Sequence, residues 1–169
     1  MTTNDSNDPR GDGRRDFDFH MRPARVRNQR LVRRMEACTE WQEFGATMDA
    51  QPVVGGLGNV DFFHCPDFPG GPLEGMSLRS FDPRTRLWSI YWLDDRICQL
   101  QPPVIGRFEG GRGEFVGDDS FAGKPIRCRY VWNVVGEDSA TWEQAFSGDG
   151  GRTWETNWRM RMDYAPADQ

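Results

Sequence analysis

The chain of 169 residues has almost no lysine and no long apolar run. Lys124 is its only lysine, so arginine supplies 20 of the 21 basic residues. No segment approaches the roughly 18 uncharged apolar residues that a membrane-spanning helix needs. The N-terminus also lacks the apolar core of a signal peptide. We therefore expect a cytoplasmic protein with no membrane partner.

Cysteine pairs and histidine clusters are missing as well. The chain has four cysteines, none of them in a CxxC pair: Cys38, Cys65, Cys98 and Cys128. This spacing favours reduced, mostly buried thiols over a zinc knuckle or a disulfide framework. With only His20 and His64 as imidazoles, we expect no metal and no cofactor. A net charge of −5 argues against a nucleic-acid partner, and we leave open a homodimer.

Aromatic residues and turn residues are abundant instead. Aromatic side chains make up 12% of the sequence, against 37% hydrophobic residues in total, which indicates a core built from a few large side chains. From Trp41 onward glycine or proline recurs every 8 to 12 residues, the spacing of all-β proteins. Ten strands are predicted, over residues 23–32, 41–50, 58–65, 74–81, 87–93, 104–108, 113–118, 126–135, 140–147 and 153–162. Consecutive short strands joined by hairpins favour a closed up-and-down antiparallel β-barrel, because closure removes exposed sheet edges.

The chain divides into a short polar tail and one barrel domain. Residues 1–15 contain almost nothing apolar and are expected to be disordered, whereas residues 16–165 form the barrel domain. Six arginines lie between Arg22 and Arg34. They could form an anion-binding or membrane-surface arm, but the preferred interpretation is a strand with solvated arginines on one face.

The last two predicted strands have the clearest two-residue alternation. Pairing Trp142 with Trp158 places Gln144 opposite Thr156 and aligns the aromatic residues on one face. The other face then carries a charged ladder directed at water: Arg127, Arg129, Glu143, Glu155 and Arg159. The opposite arrangement, with the charges lining an internal cavity, stays open because barrels also enclose polar ligands.

Residues 147–154 (SGDGGRTW) match the S-x-D-x-G-x-T-W "Asp-box" and resemble the hairpin turns of sialidase-type propellers. The chain has one copy and is far too short for a propeller. Asp149 is expected to accept backbone N–H groups, Gly150 and Gly151 to supply positive φ, and Trp154 to pack under the loop. The motif therefore predicts a hairpin clamp. The adjacent pairs Asp94-Asp95 and Asp118-Asp119 are interpreted as turn residues, with an acid/base pair at the barrel mouth as the alternative.

A set of short motifs extends over almost all of the chain after the tail: residues 16–19 (DFDF), 55–59 (GGLGN), 79–83 (RSFDP), 88–92 (WSIYW), 102–103 (PP), 117–119 (GDD), 142–147 (WEQAFS) and 153–158 (TWETNW). Together they resemble a family of uncharacterised bacterial calycin-like, or lipocalin-like, proteins. The resemblance implies a calycin β-barrel and transfers no activity. Its members carry G-x-W at the first strand, where this chain has Arg22-Pro23-Ala24. The haem-binding nitrobindin branch uses a histidine near the C-terminus, and none follows His64 here.

These observations favour a barrel that binds a small apolar or aromatic molecule, such as a bacterial secondary metabolite. The alternatives are an enzyme of secondary metabolism (a cyclase, isomerase or dehydratase) using the same cavity, and a structural barrel without a ligand. No catalytic residue is identified. The predicted ligand-binding residues are Trp88, Trp92, Tyr130, Trp132, Trp142, Gln144, Trp154, Thr156 and Trp158.

Overall fold

The computed structural model describes residues 11–167, and these form one closed antiparallel β-barrel. Its ten strands follow chain order: β1 (Ala24–Leu31), β2 (Trp41–Val53), β3 (Gly58–Cys65), β4 (Leu73–Asp82), β5 (Leu87–Asp94), β6 (Val104–Glu109), β7 (Arg112–Phe121), β8 (Lys124–Val134), β9 (Ser139–Ser147) and β10 (Glu155–Tyr164). Two short 3₁₀ turns, Asp18–His20 and Val54–Gly56, complete the regular structure. The predicted all-β up-and-down barrel is confirmed, and every predicted strand end lies within three residues of the observed one.

Each strand pairs with its neighbours in sequence, and β1 closes the barrel by pairing with β10. Ala24 lies opposite Tyr164 at this closure. Because the strands alternate in direction, the loops after β1, β3, β5, β7 and β9 gather at one end, which we call the mouth. The N-terminal segment and the remaining loops gather at the other, the closed end.

The closed end is filled by the segment before β1. Phe17 is 1% exposed and its ring lies 5.0 Å from those of Trp88 and Phe108 and 5.7 Å from that of Trp132, all edge to face. The carbonyl of Gly13 accepts a hydrogen bond of 3.0 Å from Trp88 Nε1. Phe17 thus supplies a large aromatic ring at an end where the chain has Arg22-Pro23-Ala24 instead of G-x-W.

The predicted register between the last two strands is wrong. The structure pairs Glu155 with Phe146 and Trp158 with Gln144, and the register shifts between Thr156 and Trp158. A β-bulge at Asn157 inserts one residue into β10, and a bulge reverses the facing of the residues before it. Strict alternation from Trp154 to Trp158 could not show this insertion.

The aromatic face lines the interior, and most of the predicted charged ladder faces water. Arg127 contacts Asp118 outside the barrel, and Arg159 lies 4.0 Å from Glu143. Glu155 is the exception: through its pairing with Phe146 it faces the mouth, where it accepts a hydrogen bond of 2.8 Å from the backbone of Met35.

The remaining general expectations concern the tail, the thiols and the membrane. Residues 1–10 of the predicted disordered tail lie outside the described residues, whereas Gly11–Arg15 are described, with Gly13 bonded to Trp88. All four cysteines are free, and Cys65 and Cys128 are buried. Among residues 11–167, none of the helices has the length and apolar character to cross a membrane.

Candidate functional site

The barrel interior contains two adjoining cavities. The outer one, which we call the vestibule, opens at the mouth and has a volume of about 310 Å³. The inner one, the chamber, holds about 60 Å³ between the vestibule and the closed end. Four residues line both cavities and form what we call the waist: Trp92, Tyr130, Gln144 and Trp158. A vestibule of this size is within the range of small-molecule sites.

Specific contacts fix the positions of the two waist tryptophans, Trp92 and Trp158. Trp92 lies flat over Gly75, where a Cβ atom would come within 2.1 Å of the indole, so this position requires glycine. Its Nε1 donates to Asp94 at 2.8 Å. Trp158 Nε1 donates to Asn28 at 3.0 Å inside the barrel. Both rings therefore present apolar faces to the cavities rather than free donors.

Gln144 is positioned by the bulge in β10. Its Nε2 donates to Asn157 Oδ1 at 2.9 Å, and both side chains are buried. The predicted partner, Thr156, pairs with Ala145 on the outer face instead. The Gln144 carbonyl oxygen is left as an acceptor at the waist, with no hydrogen bond from another described residue.

Tyr130 supplies the hydroxyl group of the waist. Its ring packs edge to face on Trp142 at 5.0 Å. Burial raises the pKa of the phenol well above its ordinary value, and the negative charge of Asp119 acts in the same direction. Tyr130 therefore remains protonated at neutral pH and can donate a hydrogen bond to a guest, but it does not act as a base.

The base of the chamber is a buried polar network. Asp61 forms an ion pair with Arg79, and its Oδ2 lies 3.1 Å from His20 Nε2. His20 Nδ1 lies 2.8 Å from the hydroxyl of Tyr164. The network joins the N-terminal segment to β3, β4 and β10, and Asp61 and Arg79 line the chamber.

The protonation of this network follows from its burial. Burial lowers the pKa of His20 and outweighs the opposing hydrogen bond to Asp61. Burial alone would raise the pKa of Asp61, but the charge of Arg79 and the contact with His20 hold it well below its usual range. His20 is therefore neutral beside an ionised Asp61, so Nε2 carries the proton and Nδ1 accepts from the Tyr164 hydroxyl.

Two donors next to the chamber have no partner among residues 11–167. Arg79 Nε and Trp132 Nε1 are both buried without a hydrogen bond, although both side chains line the chamber. Buried donors are normally paired with protein or with water. Together with Tyr130, they give the chamber an excess of donors over acceptors.

The vestibule brings together three arginines that the predicted site did not include: Arg30, Arg34 and Arg96. The preferred interpretation of solvated arginines on one strand face holds only in part, because Arg25 and Arg27 point outward whereas Arg30 turns into the barrel. The signal was present in β1, where Arg30 follows Val26 and Asn28 at a two-residue period.

The structure places the nine predicted ligand-binding residues in three environments. Six line the vestibule or the chamber: Trp92, Tyr130, Trp132, Trp142, Gln144 and Trp158. Trp88 faces inward but lies in the closed end against Phe17. Trp154 and Thr156 are corrections, because the bulge turns both outward, and Trp154 lies 4.4 Å beneath the guanidinium of Arg129.

The Asp-box is a hairpin clamp, as the motif predicted. Asp149 accepts hydrogen bonds of 3.0 and 2.9 Å from the backbone N–H groups of Arg152 and Thr153. Gly150 and Gly151 adopt φ values of 76° and 92°. Trp154 Nε1 donates to the carbonyl of Gly151, so the ring closes the loop. None of these residues lines the vestibule.

The predicted turn role holds for Asp94 but is wrong for Asp118 and Asp119, which lie within β7 because that strand continues to Phe121. Asp94 Oδ1 accepts the backbone N–H groups of Arg96 and Ile97 at 3.0 and 2.8 Å, which starts the loop after β5. Asp118 contacts Arg127 outside the barrel. Within residues 11–167, no three His, Cys, Asp or Glu side chains are grouped so that they could hold a metal ion.

No protein-family model matches the chain, and no curated protein is significantly similar to it.

Proposed function

We propose that this protein binds one small aromatic or apolar molecule inside the barrel, with the body of the guest at the waist. The observation that carries the proposal is the waist itself, where Trp92, Trp158 and Tyr130 line both of the adjoining cavities. Aromatic side chains offer large apolar contact areas with little conformational freedom to lose.

The polar groups at the waist suit a guest with one or two oxygen or nitrogen atoms. Tyr130 offers a donor, and the carbonyl oxygen of Gln144 offers an acceptor. A few directed polar groups in an apolar cavity set the orientation of a ligand. Beyond the waist, Trp132 Nε1 and Arg79 Nε would donate hydrogen bonds to an oxygen or nitrogen atom of the guest that reaches into the chamber.

A titration with the neutral fluorescent probe N-phenylnaphthylamine tests this proposal. We expect one probe per chain, with energy transfer from tryptophan. Trp92→Leu should weaken binding at least about tenfold, since each 1.4 kcal/mol of lost contact is a factor of ten. Trp154→Leu is the matched control, because Trp154 is also half-buried with its N–H bonded but lies outside the barrel. Equal losses in both variants, or no binding to the parent, would contradict the proposal.

The natural guest can be sought by native mass spectrometry of protein purified from its own host. A single co-purifying mass that N-phenylnaphthylamine displaces would identify it. As part of the same proposal, we assign the chain to the calycin-like bacterial family that its motifs resemble, with a cytoplasmic role in secondary metabolism.

A further inference from the structure

The vestibule contains three arginines whose charges no described carboxylate neutralises by direct contact. Within residues 11–167, no Asp or Glu oxygen lies within salt-bridge distance of the guanidinium groups of Arg30, Arg34 or Arg96. Other arginines do have such partners, among them Arg33, which contacts Glu36. Arg25, Arg86, Arg107, Arg129 and Arg152 also have no such partner within residues 11–167, but these five lie outside the vestibule, whereas Arg30, Arg34 and Arg96 converge in it.

The nearby carboxylates are engaged elsewhere. Asp94 accepts hydrogen bonds from Trp92 and from the backbone of the following loop. Asp119 accepts the backbone N–H of Ser120 at 2.7 Å, and Glu155 accepts that of Met35. Their charges reach the vestibule, but their bonded oxygens are held by these other donors.

Aromatic rings, rather than acids, hold the three guanidinium groups. Arg30 and Arg96 share the ring of Phe68, at 5.3 and 4.9 Å from its centroid. Arg34 lies over Phe121 at 4.7 Å. Stacking fixes the plane of a guanidinium and leaves its edge free to bind anions. Arg96 uses one edge nitrogen, Nη2, to donate to the carbonyl oxygen of Gly71, and Arg30 and Arg34 have no such contact among the described residues. Arg30 Nε is indeed buried without a hydrogen-bond partner among the described residues.

Positive charges held this close together repel one another, and a bound anion would remove this repulsion. Burial, with the adjacent charge of Arg30, lowers the pKa of Arg34 to about 10. Burial and the charge of Arg96 lower the pKa of Arg30 in the same way. Arg30 and Arg34 remain protonated at neutral pH, so their mutual repulsion persists until an anion lies between them.

We infer that the vestibule is an anion subsite and that the guest is an aromatic or apolar acid, whose carboxylate, sulfonate or phosphate group is bound by Arg30, Arg34 and Arg96. The inference rests on the proposed function, because the body of the acid must lie at the waist. The acidic group lies toward the mouth, and the apolar end enters the barrel first. A neutral guest would leave the three arginines uncompensated.

Two probes with nearly the same ring system separate this inference from the proposed function. Anilinonaphthalene sulfonate is N-phenylnaphthylamine with an added acidic group. We expect the parent protein to bind both, with the sulfonate weakening as salt is added because exposed charge attraction is screened. In the double variant Arg30→Gln/Arg34→Gln, sulfonate affinity should fall at least about tenfold while the affinity for the neutral probe changes less than about twofold.

Arg25→Gln is the matched control, because Arg25 lies on the same strand but faces solvent. It should leave both affinities unchanged. If the double variant binds the sulfonate as tightly as the parent, the anion subsite is overturned while the aromatic cavity stands. If the parent binds neither probe, the proposed function fails and the inference fails with it.

Competition against bound sulfonate identifies the acid. Naphthoate and naphthyl phosphate share the ring and differ in the acidic group. Displacement by naphthoate supports a carboxylic acid as the natural guest, and displacement by naphthyl phosphate supports a phosphate ester. Displacement by neither would overturn the inference.

Discussion

The amide of Gln144 donates to the side-chain oxygen of Asn157 at the one residue where β10 gains a position relative to β9. The bulge therefore does more than shift the register. It places the side chain of Asn157, which is 0% exposed, against Gln144 at the waist. The amide of Gln144 is thereby bonded, and its own oxygen remains available. The geometry of the binding waist depends on this irregularity in the hairpin.

Replacing Gln144 by leucine tests the hydrogen bond between Gln144 and Asn157. Gln144→Leu leaves the oxygen of Asn157 buried without a donor, which should lower the free energy of unfolding by about 1–3 kcal/mol. Thr156→Val is the control, and because Thr156 lies on the outer face it should change stability by less than about 0.5 kcal/mol. Urea unfolding measures both. Equal effects would mean that Thr156, not Asn157, is the partner of Gln144.

Stability should fall as the pH is lowered past the ordinary pKa of histidine. Burial lowers the pKa of His20 in the folded barrel. Below the ordinary pKa of histidine, the unfolded chain therefore binds a proton at His20 that the folded chain does not bind. The contribution of His20 to the free energy of unfolding is complete above about pH 6.5 and is lost progressively as the pH falls below that value. The free energy of unfolding, measured with a chemical denaturant, should decrease as the pH is lowered from about 7.5 to about 5.5.

A substitution tests whether His20 causes this dependence. His20→Gln should flatten the dependence of stability on pH, because the side chain that resists protonation in the folded state is then removed. A slope that persists in His20→Gln would show that other groups cause it.

Phe17 should behave as a core residue although it precedes the first strand. Phe17→Ala removes a ring that touches Trp88, Phe108 and Trp132, and it should cost about 3–5 kcal/mol. Phe62→Ala removes a ring that is 51% exposed and should cost far less. Similar losses in the two variants would mean that the segment before β1 does not fill the closed end.

Asp149→Ala should lower the thermal midpoint without changing the affinity for N-phenylnaphthylamine. The substitution removes the acceptor of two backbone N–H groups and of the Thr153 hydroxyl. Asp67→Ala, at an exposed position in another mouth loop, should leave the midpoint unchanged. Loss of probe binding by a stable Asp149→Ala protein would place this hairpin in the binding site.

The strands and turns could be predicted from the sequence because glycine and proline mark each hairpin and the buried side chains alternate. The bulge at Asn157 could not, since Trp154, Thr156 and Trp158 also fit a regular strand. The polar network was beyond local patterns because His20 and Tyr164 are 144 residues apart. Arg34 enters the mouth from a loop, where no period indicates direction, whereas the inward facing of Arg30 follows the alternation of β1.

Neighbouring strands of the barrel differ in the number of residues that they pair. β5 and β6 share three register pairs, from Trp88–Gly106 to Ile90–Val104, whereas β7 and β8 share ten. Toward the mouth, the chain between β5 and β6 spans this gap, and Pro103 lies so close to Gly117 that a Cβ there would come within 2.2 Å of its carbonyl oxygen. Local opening needs the least free energy where the fewest hydrogen bonds must break. Amide hydrogen exchange should therefore be fastest along this seam, where the barrel wall opens at the least cost while the other nine strand pairings hold.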